Sequence, residues 1–231
     1  MIKKQIPLRI ILSILVLLFA LFYVCFQLAK LATDTGVMQD MFIKHSEIKL
    51  EDSQYNSIAK GITKYLKGES DEVEFEGEEE LSLSEKEILH LKDVRKLVDT
   101  GLGLIWYMGG IGLLFLLLFI INKIKLYKIN SKTVEFAFVV GFGIFLILVA
   151  ATAIFVYLKF DTAFTKFHEL LFDNDFWLLS PEKDLLIKLM PASFFSAYIA
   201  LFAKRHLPLV LCLLMACFAF IFQKKEVKDA E

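Results

Sequence analysis

The sequence predicts an all-α membrane protein, in which four transmembrane helices carry a largely helical extracytoplasmic domain built from two outward segments. Hydrophobic residues make up 57% of the 231 residues, and 23 of them are phenylalanine. This share exceeds that of ordinary soluble domains. Four apolar stretches also approach or exceed the about 20 residues that cross a hydrocarbon core of about 30 Å. The net charge of -1 gives no bulk attraction to nucleic acid, so no nucleic-acid partner is predicted.

The four apolar stretches define the predicted topology. We place the transmembrane helices at residues 6–28, 102–121, 134–158 and 207–222. The first has lysines before it, as a signal peptide would, but its apolar run is longer and no small-residue cleavage pattern closes it. We therefore expect this helix to be retained. Glycines in or beside the second and third helices predict close helix packing: Gly101, Gly103, Gly109, Gly110, Gly112, Gly141 and Gly143.

Lysines predict the side of the membrane on which each connection lies. The link at residues 122–133 contains four lysines and no acid, and the two terminal regions, 1–5 and 223–231, also carry lysines. Short cytoplasmic loops are enriched in lysine and arginine, so these three regions are expected to be cytoplasmic. The segments at 29–101 and 159–206 then face outward.

The first outward segment, residues 29–101, is too long for a plain loop and is predicted to contain helices. Residues 35–67 have a helix-compatible pattern, and an acidic run after them is interpreted as a solvated loop. Ser84 and Glu87 then form a capping box, S-x-x-E, ahead of an apolar periodic stretch. This pattern predicts an interfacial helix at 85–99, directly above the second transmembrane helix.

The second outward segment, residues 159–206, is rich in aromatic and acidic residues. Ser180 followed by Pro181 predicts the N-cap and first residue of a short helix that continues to about Leu189. Trp177 and the phenylalanines near it are typical of an interfacial belt. The segment is therefore expected to lie against the membrane surface.

Two of the four histidines lie near carboxylates on segments predicted to adjoin the membrane. His90 is three residues before Asp93, which places both on one helix face. His168 is followed directly by Glu169. Because the topology puts both histidines on the outward face, they form a candidate acid–base pair. A purely structural role for each histidine stays open on spacing alone.

Other chemistry is weakly indicated. His45 is interpreted as a surface residue and His206 as an interfacial anchor beside two basic residues. The cysteines lie in apolar runs and are predicted to be small buried hydrophobes rather than disulfide or metal partners: Cys25, Cys212 and Cys217. The sequence has no H-E-x-x-H, P-loop or G-x-S-x-G motif, so neither a metal nor a cofactor is predicted.

Two stretches resemble the signatures of a known membrane family. The first is L-S-E-K-E-I-L-H-L-K-D-V, at residues 83–94, and the second runs from Phe167-His168-Glu169 to Trp177, with Asp184, Pro191 and Phe194-Phe195 beyond it. On these residues the chain resembles the lipoprotein intramolecular transacylase family, Lit, of Gram-positive bacteria.

The resemblance implies an acyltransferase of the bacterial cell membrane. Such an enzyme moves the sn-2 acyl chain of a diacylglyceryl-modified N-terminal cysteine to the α-amino group of that cysteine, which gives a lyso-form lipoprotein. The implied partners are diacylglyceryl-modified lipoproteins and membrane lipid. No cofactor is implied, because one molecule supplies both the acyl donor and the acceptor.

With that resemblance, we expect His168 to be the general base and His90 to be its partner, as an acid or an oxyanion stabiliser. Asp93 and Asp175 are expected to orient the imidazoles. Glu87, Trp177 and Tyr198 are expected to support the site. Two alternatives remain from the residues themselves. One is a non-catalytic membrane protein that binds a lipid or protein partner. The other is a metal-dependent membrane hydrolase with its ligands at His90, His168, Asp173 and Asp175.

Overall fold

The computed structural model describes residues 5–77, 81–124 and 129–229. In this part of the chain every regular element is an α-helix, as the sequence predicts. The eight helices are, in chain order, α1 (Ile6–Ala32), α2 (Thr35–His45), α3 (Asp52–Leu66), α4 (Glu85–Lys123), α5 (Ser131–Leu158), α6 (Phe160–Leu171), α7 (Leu185–Leu189) and α8 (Ala192–Asp229).

Four of these helices are long and apolar enough to cross a membrane, which confirms the predicted fold class. The candidate spans are Ile6–Ala32, Glu85–Lys123, Lys132–Leu158 and Ala192–Met215. The separately predicted helices at 85–99 and 102–121 form one continuous helix, α4. The predicted fourth span, 207–222, lies within α8, whose apolar part begins earlier in the chain.

The chain divides into two compact units, the first ending at Phe194 and the second containing the rest of α8. In the first unit, α1 packs against both α4 and α5. Two glycines allow the close approach. A Cβ on Gly101 would lie 2.7 Å from the Cβ of Ala29, and a Cβ on Gly141 would lie 2.4 Å from the carbonyl oxygen of Ser13. The predicted close packing is confirmed at these two glycines.

The remaining glycines of α4 and α5 give a different result. A Cβ added at any of them would meet no atom of the described residues within 4 Å, so the prediction of close packing was wrong for this set: Gly103, Gly109, Gly110, Gly112 and Gly143. Their spacing resembles a packing motif, but in α4 only Gly101 of the predicted glycines lies against α1 in this way. The ring of Phe22 meets that of Tyr107 at 6.1 Å further along the same pair of helices.

The two segments predicted to face outward pack on one another within the first unit. Phe42 of α2 is fully buried and stacks on Phe194, with ring centroids 5.5 Å apart. The backbone N–H of Glu47 donates to the carbonyl oxygen of Lys188 at 2.8 Å. Contacts between the segments that contain α2 and α7 therefore form one helical domain, as the sequence analysis expected.

The start of the short helix α7 differs from the prediction. Residues 180–184 form a turn, and Asp184, rather than Ser180, is the N-cap. The N–H groups of Lys183 and Asp184 both donate to the carbonyl oxygen of Ser180, at 3.1 and 2.9 Å. The Ser180 N–H in turn donates to the Asp184 carboxylate at 2.6 Å. The turn is closed by the Ser180 carbonyl and the Asp184 carboxylate, and the helix begins only after it. The predicted N-cap at Ser180 was therefore wrong.

Candidate active site

His90 and His168 lie side by side, although 78 positions separate them in the sequence. His90 is in the second turn of α4, and His168 is in the last turn of α6. Their ring centroids are 5.9 Å apart, with the ring planes tilted by 37°. One small group of a substrate, or one water, can bridge two imidazoles at such a distance. The structure therefore brings together the two histidines that the sequence singled out.

The position of His168 fixes its tautomer. Its Nδ1 lies 2.8 Å from the carbonyl oxygen of Phe164, one helical turn earlier in α6. A carbonyl oxygen can only accept a hydrogen bond, so Nδ1 is the protonated nitrogen. The lone pair of the neutral ring is therefore on Nε2, the nitrogen that a general base uses in such an arrangement.

Aromatic side chains surround the ring of His168. Trp177 stacks on it, with ring centroids 4.9 Å apart and planes 29° from parallel, and the ring of Phe164 lies 4.2 Å away. Phe172 contacts both histidines, at 5.6 Å from His168 and 5.3 Å from His90. Only 7% of His168 is exposed. These rings exclude water from the imidazole and limit its rotation.

Burial lowers the pKa of both histidines. The pKa of His90 falls to about 4, first because the ring is desolvated and then because His168 is adjacent, while Asp93 partly opposes the change. Burial also lowers the pKa of His168, and the Phe164 carbonyl partly restores it. Desolvation disfavours the charged imidazolium. Both rings are therefore neutral near pH 7 in the free protein.

Asp93 joins the two segments that carry the histidines. One oxygen of its carboxylate accepts from Lys96 at 2.7 Å, and the other accepts from the side-chain amide of Asn174 at 2.8 Å. The hydrogen bond to Lys96 is the main cause of the lowered pKa of Asp93. Its contact with His90 is electrostatic, because the hydrogen bonds of the carboxylate go to Lys96 and Asn174.

A second link, which we call the carboxylate clasp, consists of Glu87 and Asp184. Glu87 is 1% exposed. Its carboxylate accepts the N–H of Ser84 at 2.7 Å, in the predicted capping box, and the N–H of Leu186 at 2.5 Å. Asp184 accepts the hydroxyl of Ser84 at 2.9 Å. The clasp therefore holds the start of α4 to the start of α7, one helical turn from His90.

Two other predicted site residues, Asp175 and Tyr198, are on different elements of the structure. Asp175 is exposed, and its backbone carbonyl accepts the N–H of Leu178 at 3.1 Å. Tyr198 belongs to α8, in the second compact unit. Among the described residues, no three histidine, cysteine, aspartate or glutamate side chains lie close enough to hold a metal ion together.

A comparison with protein families identifies the chain. The model described as lipoprotein intramolecular transacylase Lit matches residues 6–195, which contain both histidines, the clasp and three of the four candidate spans. The chain belongs to this family. It is an acyltransferase of the Lit type, and the resemblance drawn from the two signatures is confirmed.

A solved structure supports the Lit fold. The chain is similar to the membrane integral lipoprotein intramolecular transacylase Lit from Bacillus cereus, whose structure was determined in meso. The two are 18% identical, the TM-score is 0.64, and the match covers 94% of this chain and 99% of the other. The fold is therefore that of a multi-pass membrane protein. Among curated proteins, none matches the chain.

Three groups of this Lit-family site were not assigned a role from the sequence. They are the carbonyl of Phe164, the amide of Asn174 and the carboxylate of Asp184. The i, i+4 spacing of Phe164 and His168 is a weak signal for the first, since a histidine on a helix can reach the preceding turn. The other two depend on contacts between distant segments, for which spacing gives no signal.

Proposed function

We propose that this enzyme moves the sn-2 acyl chain of a diacylglyceryl-cysteine lipoprotein to the α-amino group of the same cysteine. The product is a lyso-form lipoprotein, and the reaction takes place at the outer face of the membrane. The single observation that carries the mechanism is the pairing of His90 with His168 at 5.9 Å, within a chain of the lipoprotein transacylase family.

His168 is the general base in this proposal. Its Nδ1 proton is committed to the Phe164 carbonyl, which leaves Nε2 free to accept a proton. The same hydrogen bond raises the pKa of His168 against the effect of burial. It therefore favours the protonated form of His168, and no such hydrogen bond contributes to the pKa of His90. Stacking on Trp177 also stabilises an imidazolium, through the cation–π interaction.

His90 is the hydrogen-bond donor. With its pKa lowered to about 4, it stays neutral through the reaction and presents one N–H. A neutral imidazole can donate to the oxygen that becomes negative when an ester carbonyl is attacked. His90 therefore stabilises the oxyanion, or the leaving oxygen, while His168 moves the proton.

The reaction then requires two proton transfers, one from the substrate to His168 and one from His168 back to the substrate. The neutral α-amine attacks the ester carbonyl, a C–N bond forms, and Nε2 of His168 takes a proton from the nitrogen. The tetrahedral intermediate then breaks its C–O bond, and His168 returns the proton to the glyceryl oxygen. Positioned intramolecular attack lowers the barrier by up to about 7–11 kcal/mol. This is consistent with a site whose main task is to hold the amine and the ester in the orientation for attack.

The outer face is supported by the distribution of charge. The link between α4 and α5 is rich in lysine, and the helical domain that carries the histidines lies at the opposite ends of these helices. Lipoprotein substrates are anchored in the membrane by their acyl chains. A site at the membrane surface can reach their ester bonds, and lipid is therefore the second partner in this proposal.

The test uses purified enzyme and a synthetic diacylglyceryl-cysteine peptide. Intramolecular transfer makes an isomer, so the mass of the peptide stays constant while tandem fragmentation moves the acyl group from the glyceryl fragment to the amine. Both His168→Ala and His90→Ala should abolish or strongly reduce this isomer. His45→Ala, which removes a histidine at the end of α2, is the matched control and should retain full activity.

Three results would contradict the proposal. Full isomer formation by either variant of the pair would remove that histidine from the mechanism. Release of free fatty acid, with a corresponding loss of mass from the peptide, would indicate a hydrolase. Loss of activity on treatment with EDTA, with recovery on addition of a divalent metal, would favour the metal-dependent alternative.

A further inference from the structure

Helix α6 has three distinct sides. His168 faces the active site and is buried. The polar side carries an exposed ion pair between Lys166 and Glu169, with the charged atoms 2.6 Å apart. The third side is apolar and exposed: 53% of Phe167 and 83% of Leu170 are accessible. An apolar stripe of this kind, next to a charged one, requires a partner that is itself apolar.

The exposed stripe continues from a helix that crosses the membrane. At the end of α5, Tyr157 is 89% exposed and Leu158 is 65% exposed. Lys159 follows with φ -142° and ψ 53°, outside the helical region, and this breaks the helix. The next helix, α6, begins at Phe160. Only one residue separates the exposed apolar end of α5 from the start of α6, so the chain passes directly from a membrane-crossing helix into α6.

We propose that Phe167 and Leu170 insert into the surface of the phospholipid bilayer beside the end of α5, so that α6 lies within the membrane interface. The chemistry of the stripe fits this partner. An amphipathic helix of this type buries its apolar side at the boundary between headgroups and acyl chains and keeps its charged side in water. Lys166 and Glu169 are on the side that remains hydrated.

This placement locates the reacting imidazole with respect to lipid. His168 is two residues before Leu170, about 3 Å along the helix axis. The ring is therefore held near the boundary where the ester bonds of a glyceryl lipid lie, and the substrate can react without leaving the bilayer. This consequence rests on the proposed function, whereas the contact of α6 with lipid does not.

The experiment places a fluorescent probe on each side of α6. The three cysteines, Cys25, Cys212 and Cys217, are replaced by alanine. Leu170→Cys and its matched control Glu169→Cys are then labelled with an environment-sensitive nitrobenzoxadiazole dye in phosphatidylglycerol–phosphatidylcholine vesicles. The dye at 170 should be blue-shifted, quenched by lipid with a nitroxide at acyl carbon 5, and protected from aqueous iodide. The dye at 169 should show the reverse.

A second pair repeats the comparison elsewhere on α6, in case one variant fails to fold. It consists of Phe167→Cys on the apolar side and Thr162→Cys, at an exposed polar position in the first turn. Equal quenching by iodide at both positions of a folded pair would overturn the proposal, as would the absence of quenching by the lipid nitroxide at 170. A His168→Ala version of the 170 probe separates the two proposals. It should lose acyl transfer and keep the quenching pattern.

Discussion

His90 and His168 belong to one cluster but are held in different ways. His168 is fixed by a hydrogen bond to the Phe164 carbonyl and by the stack on Trp177. Among the described residues, no hydrogen bond reaches the ring of His90, whose neighbours are Phe172 and the imidazole of His168. The more rigid ring has its lone pair free for a proton, and the less restrained ring has its N–H free to donate. The difference suggests a division of labour between two identical side chains.

The largest expected effect separates these two roles. His168→Gln removes the base and should lower the rate by about 10²–10⁴-fold, the usual contribution of acid–base catalysis. His90→Gln keeps an N–H donor near the same place and should lose only about tenfold. Initial rates of isomer formation, measured by tandem mass spectrometry, give the comparison. Equal losses in the two variants would show that the roles are not divided in this way.

The carboxylate clasp should determine whether the two rings meet at all. Glu87→Ala leaves the buried N–H of Leu186 without an acceptor, at about 1–3 kcal/mol, and also removes the acceptor of the half-buried Ser84 N–H. The variant should therefore unfold at a clearly lower temperature in detergent, as followed by circular dichroism. Glu85→Ala removes an exposed carboxylate from the same turn and should change stability by less than about 0.5 kcal/mol. A Glu87→Ala protein as stable as Glu85→Ala would show that the clasp is not structural.

The stack on His168 should have a moderate effect. Trp177→Leu removes the aromatic face and should lower the rate up to about tenfold, because such contacts contribute about 0.5–1.5 kcal/mol. Trp177→Phe keeps an aromatic face and loses the indole N–H, so it should retain most of the activity. If Phe proves as harmful as Leu, the indole N–H matters more than the stack.

The smallest contribution expected from the two histidines is to the pH dependence of the rate. The pKa of each histidine lies below the ordinary value of 6.5, so both are mainly neutral above it. Between pH 8 and 6.5, kcat/KM should fall only as the α-amine of the substrate, with an ordinary pKa of about 7.7–8.0, becomes protonated. Below pH 6.5, His90 is protonated more readily in the unfolded chain than in the folded protein. The stability that depends on neutral His90 is therefore complete above pH 6.5 and is lost as the pH falls toward about 4. Thermal unfolding of the wild type and His90→Asn across this range measures that loss, and parallel curves would contradict it.

Local patterns in the sequence predicted local structure well. The capping box of Ser84 and Glu87 is present as expected, because all its hydrogen bonds lie within one helical turn. The membrane-crossing helices are equally evident, since their apolar runs alone are sufficient to predict them. The predicted topology put both histidines on one face, and the resemblance to the family then gave them one site, which their spacing of 78 residues alone could not do.

Contacts between distant segments could not be predicted from the sequence. The capping box does not reveal that the second oxygen of Glu87 binds Leu186, 99 residues away. The helix start at Ser180 was wrong because the side chain of Asp184 closes a turn first. The role of Asp175 in orienting an imidazole stays a prediction. In the structure, the Phe164 carbonyl holds His168.

Because α4 is continuous, a movement of its membrane-crossing part also moves His90. The helix contacts α1 at Gly101, and His90 lies 11 residues nearer its start, about 16 Å along the axis. A change in bilayer thickness tilts a helix that spans it. A tilt of about 5° around Gly101 would move His90 by about 1.4 Å across that lever arm, and misplacement of about 1 Å can cost about 10²-fold in rate. We therefore expect the rate of acyl transfer to depend on the acyl-chain length of the surrounding lipid.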